Sequence, residues 1–273
     1  MIEADVRIRL KFGGRKWVER VSPDQPLLLI PVMAEDVARV KRRKVLLGVA
    51  CGLALLAAGG ILYKRIADPR NAREAYDAGL RLMAATRYEQ AALNFSRVID
   101  LKPDFADAYR MRGRVYMAEY SPDPAIRDFN KVVQLDPSDA TALVERGYAR
   151  LDRKDYNNAI ADAESAIALS PKLARAYNLR GTARRAAGDP AKALPDFTHA
   201  VQLDPGLENF FQRASTYQLL RQHPLAIADF TRAILADPQQ PHIYFARALS
   251  RGALGDASGA KTDIATGRKI DGW

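Results

Sequence analysis

The residues able to do chemistry in this chain are three histidines, one cysteine and a recurring set of arginines and aspartates. His199, His223 and His242 stand at unrelated positions with no Cys or His at ligand spacing beside them, so no metal site is expected. Cys51 sits alone in an apolar run and can form neither an intramolecular disulfide nor a thiolate cluster. No nucleophile–base motif and no phosphate-cradling glycine loop is present. The expectation is a protein without enzymatic activity and without a cofactor. The arginines and aspartates are different, because they recur together. Arg112, Arg146, Arg180, Arg213 and Arg247 each precede an aspartate by 16 residues: Asp128, Asp162, Asp196, Asp229 and Asp263. That regularity predicts a structural ladder of charge-assisted hydrogen bonds between helices. The competing reading is a row of arginines that clamps a ligand.

The elements that must position these pairs follow from an internal period. Pro103, Pro137, Pro171 and Pro205 are spaced by 34 residues and Pro238 by 33, which defines six units starting near Ala72, Ala106, Ala140, Ala174, Leu207 and Pro241. The eighth position of each unit is small (Gly79, Gly113, Gly147, Gly181, Ala214, Ala248) and the twentieth is alanine (Ala91, Ala125, Ala159, Ala193, Ala226, Ala260). Four residues later stand Phe95, Phe129, Phe197, Phe230 and Ile264, with Ala163 as the exception in the third unit. Small residues let two antiparallel helices approach, the aromatic fills the space that opens further along, and proline stops the second helix. Unit one has Ala78 and Asn94 in place of the Arg–Asp pair and loses both together, which favours the ladder over the clamp.

This pattern resembles the tetratricopeptide repeat over residues 72–271. The resemblance implies an all-α, right-handed solenoid of six helix–turn–helix units whose last helix is polar enough to cap the stack. It also implies a groove lined by positions 2, 5, 9, 12 and 13 of each first helix. Carried onto this sequence, those positions supply Tyr76, Leu80 and Met83 in unit one, Arg110, Arg114 and Met117 in unit two, and Val144, Tyr148 and Leu151 in unit three. Unit four supplies Arg175, Asn178, Thr182 and Arg185, and unit five Phe211. A peptide with apolar anchors and acidic residues would complement such a floor. The Lys/Asn set with which chaperone-binding members grip a terminal carboxylate is missing here.

The N-terminal quarter has a different character. Residues 45–63 contain no charge and would span about 28 Å as a helix, the hydrocarbon thickness of a bilayer. Lys41, Arg42, Arg43 and Lys44 abut one end, and Tyr63, Lys64 and Arg65 the other. Residues 1–44 carry 11 Lys/Arg against 6 Asp/Glu, half of the chain's net charge of +10. This basic cluster predicts a cytoplasmic N-terminus with the repeats translocated, attraction to anionic lipid headgroups, and no nucleic-acid partner. The length and position of the apolar run argue for an uncleaved transmembrane helix over a signal peptide. Gly48 and Gly52 form a small-xxx-small pair that would let a second helix approach closely. Before the span, residues 5–12 alternate apolar with charged, Gly13-Gly14 reads as a turn, and residues 16–21 return as a second strand of a β-hairpin.

The organisation expected is therefore a short segment over 1–44, a transmembrane helix over 45–63, a linker over 64–71 and the repeat domain over 72–273. The function expected is a membrane-anchored scaffold or assembly factor in a bacterial inner membrane, with its groove in the periplasm. Two alternatives stand beside it: a permanent subunit of a membrane complex, and an import-type receptor with cytosol-facing repeats.

Overall fold

The computed structural model of the protein describes residues 6–12, 15–21 and 69–272. The chain divides into two compact units, Met1–Arg65 and Ile66–Trp273. In the first, β1 (Val6–Phe12) and β2 (Arg15–Val21) pair antiparallel, with Val6 opposite Val21 and Phe12 opposite Arg15. The proposed span 45–63 and the Gly48–Gly52 pair lie outside the described residues. Among the described residues no helix is long and apolar enough to cross a membrane.

The second unit holds twelve helices in six antiparallel pairs. Unit one pairs α1 (Pro69–Ala84) with α2 (Tyr88–Leu101), and unit two α3 (Ala106–Ala118) with α4 (Pro122–Leu135). Unit three pairs α5 (Ala140–Asp152) with α6 (Tyr156–Leu169), and unit four α7 (Ala174–Ala186) with α8 (Pro190–Leu203). Units five and six pair α9 (Leu207–Leu219) with α10 (His223–Ala236) and α11 (Pro241–Ala253) with α12 (Ala257–Asp271). Each second helix packs on the next unit's first helix, and successive first helices also touch one another, forming the inner layer of the stack.

The periodic residues hold this arrangement in identifiable ways. Phe95, Phe129, Phe197 and Phe230 are fully buried, and each contributes about 1.5–3 kcal/mol of burial. A side-chain carbon placed on Gly79, Gly113 or Gly181 would meet the phenylalanine of its own unit at 2.7–2.9 Å. The small eighth residue therefore makes room for the ring itself, which lies over it, rather than for a backbone-to-backbone approach to the alanine. In unit three, where Ala163 replaces the aromatic, Leu179 of the next unit occupies the space beside Gly147. Asp139, Asp189 and Asp256 cap the helices that follow them, their carboxylates accepting from Ala142, Lys192 and Gly259 N–H.

All six turns inside the units place one residue in the left-handed region: Thr86, Tyr120, Lys154, Gly188, Arg221 and Gly255. Only two of these are glycine, so the turn geometry is imposed by the helix pair and not by the turn residue.

Each arginine of the ladder reaches the aspartate of its own unit. Arg112 Nε and Nη2 donate to Asp128 at 2.8 and 2.7 Å, and Arg247 does the same to Asp263 at 2.9 and 2.7 Å. Arg146–Asp162 and Arg213–Asp229 repeat the geometry, whereas Arg180 donates twice to Oδ1 of Asp196, whose Oδ2 accepts from Arg184. The free arm of three arginines continues to the preceding unit: Arg112 to Ser96, Arg146 to Asn130 and Arg247 to Thr231. A second arginine joins four of the aspartates: Arg150 at Asp162, Arg184 at Asp196, Arg232 at Asp229 and Arg251 at Asp263. In unit one Asn94 turns back to the Gln90 carbonyl. The sequence reading missed a further layer. Tyr109, Tyr177 and Tyr244 donate to the carbonyls of Pro103, Pro171 and Pro238, while Arg112, Arg180 and Arg247 lie over their rings.

Candidate functional site

Stacking brings side chains from α3, α4, α5 and α7 around one cavity of about 440 Å³, lined by Arg114, Met117, Phe129, Glu145, Tyr148 and Arg175. Arg114 and Met117 come from one face of α3 because positions 9 and 12 are three apart, neighbours on a helix surface. Tyr148 sits at the equivalent position of α5, and Arg175 near the start of α7. Phe129 closes the floor with the ring that also packs against Gly113.

The polar groups are arranged asymmetrically. Arg114 Nε donates to Glu145 Oε1 at 2.6 Å, and Arg110 is paired with Asp139. Glu145 is 7% exposed; its buried Oε2 makes no hydrogen bond but is ion-paired at 3.7 Å with Arg110 Nε, which is likewise buried without one. Arg175 forms no ion pair among the described residues; its guanidinium lies over the Tyr148 ring, 5.9 Å from the centroid. Tyr148 donates to Asn178 Oδ1 at 3.2 Å. Burial pushes its hydroxyl pKa up to about 12, against the opposing field of Arg175.

Of the fourteen positions assigned to a groove, Arg114, Met117, Tyr148 and Arg175 line this cavity. Tyr76 lines a separate cavity of about 200 Å³ with Arg73, Lys102 and Phe105, its ring edge-on to Phe95 and Phe105. Leu80 is exposed, and Met83 packs beside Ala91 and Phe95. Val144 and Asn178 do not belong to a binding surface, at 1% and 4% exposure. Position 5 of these two helices faces the adjoining unit: Val144 joins Leu143, Ala176 and Leu179 in the core, and Asn178 donates to Asn209 at 2.8 Å and accepts from Tyr148 and Thr182. Arg185 is likewise held by its neighbours, donating to Gln212 and Thr216 and lying over Phe197; burial lowers its pKa. Phe211 packs between Phe230 and His242.

Two parts of the face escaped the sequence reading. Glu145 is one position past a groove position and meets Arg114, 31 residues upstream, only because the stack sets neighbouring first helices side by side. The second is an apolar cavity of about 830 Å³ in unit six, lined by Phe245, Ala248, Leu249, Gly252, Ala260, Ile264 and Arg268. Its signal was present, since Phe245, Leu249 and Gly252 occupy positions 5, 9 and 12. Among the described residues no group of three or more His, Cys, Asp or Glu converges as a metal site.

Comparison with known proteins agrees with this architecture. A tetratricopeptide-repeat family model matches residues 76–140, 121–174 and 144–208. No curated protein matches the sequence. Among solved structures, PilW, described as a widely conserved type IV pilus biogenesis factor, aligns with TM-score 0.66 at 19% identity, over 72% of this chain and 92% of that one. PilF of Pseudomonas aeruginosa aligns with TM-score 0.63 at 18% identity, over 74% and 92%. The APC/C hetero-tetramer Cut9–Hcn1 aligns with TM-score 0.65 at 18% identity over 74% of this chain, which spans only 41% of that larger one. At these identities the likeness is one of fold.

Proposed function

Since this chain is a tetratricopeptide-repeat protein, we propose that it is a protein-interaction scaffold or assembly factor whose first helices present a groove to a protein partner. The observation that carries this reading is the convergence of side chains from three consecutive units on one open cavity with an apolar floor and cationic rim. Such a surface suits recognition of a peptide segment, with apolar anchors for affinity and charge for orientation. We further propose that residues 45–63 tether it to a bacterial inner membrane, with the repeats in the periplasm; the apolar run and its flanking cations support this. The pilus-biogenesis description of PilW makes an envelope assembly a reasonable setting.

The test is site-specific photo-cross-linking of the full chain in cells. A cross-linker at Met117 is expected to capture a discrete partner, and one at Leu235, exposed on a second helix, is not. Capture from Leu235 alone would overturn the assignment of the groove. Protease digestion of intact spheroplasts should leave residues 72–273 susceptible; protection would reverse the topology. Recovery of the captured protein at fixed stoichiometry in mild detergent would favour a permanent subunit over a transient scaffold.

A further inference from the structure

Each interior unit is covered by the first helix of the next one, whereas unit six has no following helix among the described residues. The consequence shows at the twenty-fourth position. Phe95, Phe129, Phe197 and Phe230 are at most 1% exposed, but Ile264 in α12 is 37% exposed. Leu249 is 70% exposed, and both line the apolar cavity of about 830 Å³ together with Ala248 and Ala260. The polar residues of α12 therefore cap the stack only in part. Ala248, Ala260 and Ile264 stand at positions that interior units bury by stacking, so this floor is distinct from the concave groove. Interior units show how the same place is filled. Met111 and Val115, the sixth and tenth residues of unit two, pack on Ala91 and Phe95, and Ala108, the third, packs with Val98 and Ile99. Third, sixth and tenth residues share one helix face. The twenty-eighth position is aliphatic in all five interior units (Ile99, Val133, Ile167, Val201, Ile234), but in unit six it is Arg268, which lines the cavity. Arg268 forms no ion pair among the described residues; in this unit Asp263 is held by Arg247 and Arg251, and Asp256 faces Arg251 at 3.8 Å. Lys261, Lys269 and Asp271 of α12 are likewise without an ion pair among the described residues, which leaves cations in excess there.

We infer that this end face receives one helix of a protein partner, seated as the first helix of a seventh unit. An Asp or Glu at its third residue pairs with Arg268, and apolar residues three and seven positions later pack on Ile264 and Leu249. The seat continues the stack's own interface, which gives the bound helix the direction of α11. An acid in the first turn also suits the positive end of the helix dipole. A second copy of this chain fits less well. Its α12 would bring cations against cations. Its α1 would set Glu74, the third residue of unit one, against Arg268, but Asp77 and Arg81 at the sixth and tenth positions would be desolvated on the apolar floor. No residue of this seat lines the cavity around Met117, so the inference goes beyond the proposed groove.

The test uses the detergent-solubilised full chain and short fluorescein-labelled peptides of Ala and Gln, stapled because so short a helix is marginal in water. The parent peptide carries Glu at its third residue, Leu at its sixth and Val at its tenth. Anisotropy should show it binding tightest, with a loss of about threefold or more when Lys or Gln replaces Glu, or when the same residues run in reverse order. Arg268→Ala should erase the preference for Glu over Gln, which separates the ion pair from the steadier helix that an N-terminal acid gives by itself. Leu249→Gln, at an exposed position, should weaken the parent peptide about threefold or more at unchanged Tm. Indifference to Glu, to direction or to Arg268→Ala would each overturn the proposal, as would absence of binding by every peptide. So would a concentration-dependent dimer in sedimentation that Leu249→Gln dissolves, since the occupant is then a second copy. Capture of a partner from Met117 is a separate readout: its loss removes the groove reading and leaves this one standing.

Discussion

Asp196 offers the clearest test of the ladder. Its carboxylate is 2% exposed and accepts from Arg180 Nε at 3.1 Å, Arg180 Nη2 at 2.7 Å and Arg184 Nη1 at 2.8 Å. Both arginines keep about a fifth of their side chains in solvent, which screens the pairs without removing their geometry. Removing one partner of a buried pair costs about 3–5 kcal/mol, because the remaining charge is left uncompensated. Asp196→Asn keeps the shape and one acceptor, so a loss near the lower bound, about 3 kcal/mol, is expected. For a domain of about 200 residues that lowers Tm by about 6–12 °C. Arg180→Ala should lower it as well, and the double variant should lose less than the sum, with a coupling of at least about 1.5 kcal/mol. Hydrogen exchange should show the weakening centred on units three to five, because each repeat contacts only its neighbours. Partner capture by a cross-linker at Met117 should stay constant. A Tm shift within about 2 °C, or additive single variants, would refute the structural reading; a fall in that capture at unchanged Tm would revive the ligand clamp.

Three further outcomes follow from local geometry. Tyr148 is neutral in the folded state with its pKa raised to about 12, so its linkage favours folding below its unfolded value near 10 and is lost as pH rises from there through the folded pKa. Thermal melts of Tyr148→Phe between those limits should therefore fall less steeply with pH than those of the parent. Gly113→Ala should destabilise by about 1–3 kcal/mol through a clash with the Phe129 ring 2.9 Å away, whereas Gly252→Ala, with nothing within 4 Å, should gain about 0.5–1 kcal/mol of helix propensity in chemical denaturation. Tyr120 is 92% exposed with φ 53°, so Tyr120→Gly should stabilise by about 0.5–1 kcal/mol; a lower denaturation midpoint would show that the ring packs in solution.

What could be read from the amino acids alone was whatever repeats. A 34-residue period, a small eighth residue and a proline stop are one-dimensional signals, and each corresponds to a local demand of a helical pair. The six units and the five Arg–Asp partners follow because both members of each pair lie inside one unit, 16 residues apart. The candidate site was only partly legible, since it is made between units. Whether position 5 faces a ligand or a neighbour depends on how far each first helix is rotated against the next, which buries Val144 and Asn178. The same stacking pairs Glu145 with Arg114 and sets Arg175 over the Tyr148 ring, with no ion pair among the described residues. Periodicity thus determined the architecture and its internal cross-links. Only the stacked tertiary structure decided which side chains remain available, because availability depends on contacts a repeat makes with a copy that differs from itself.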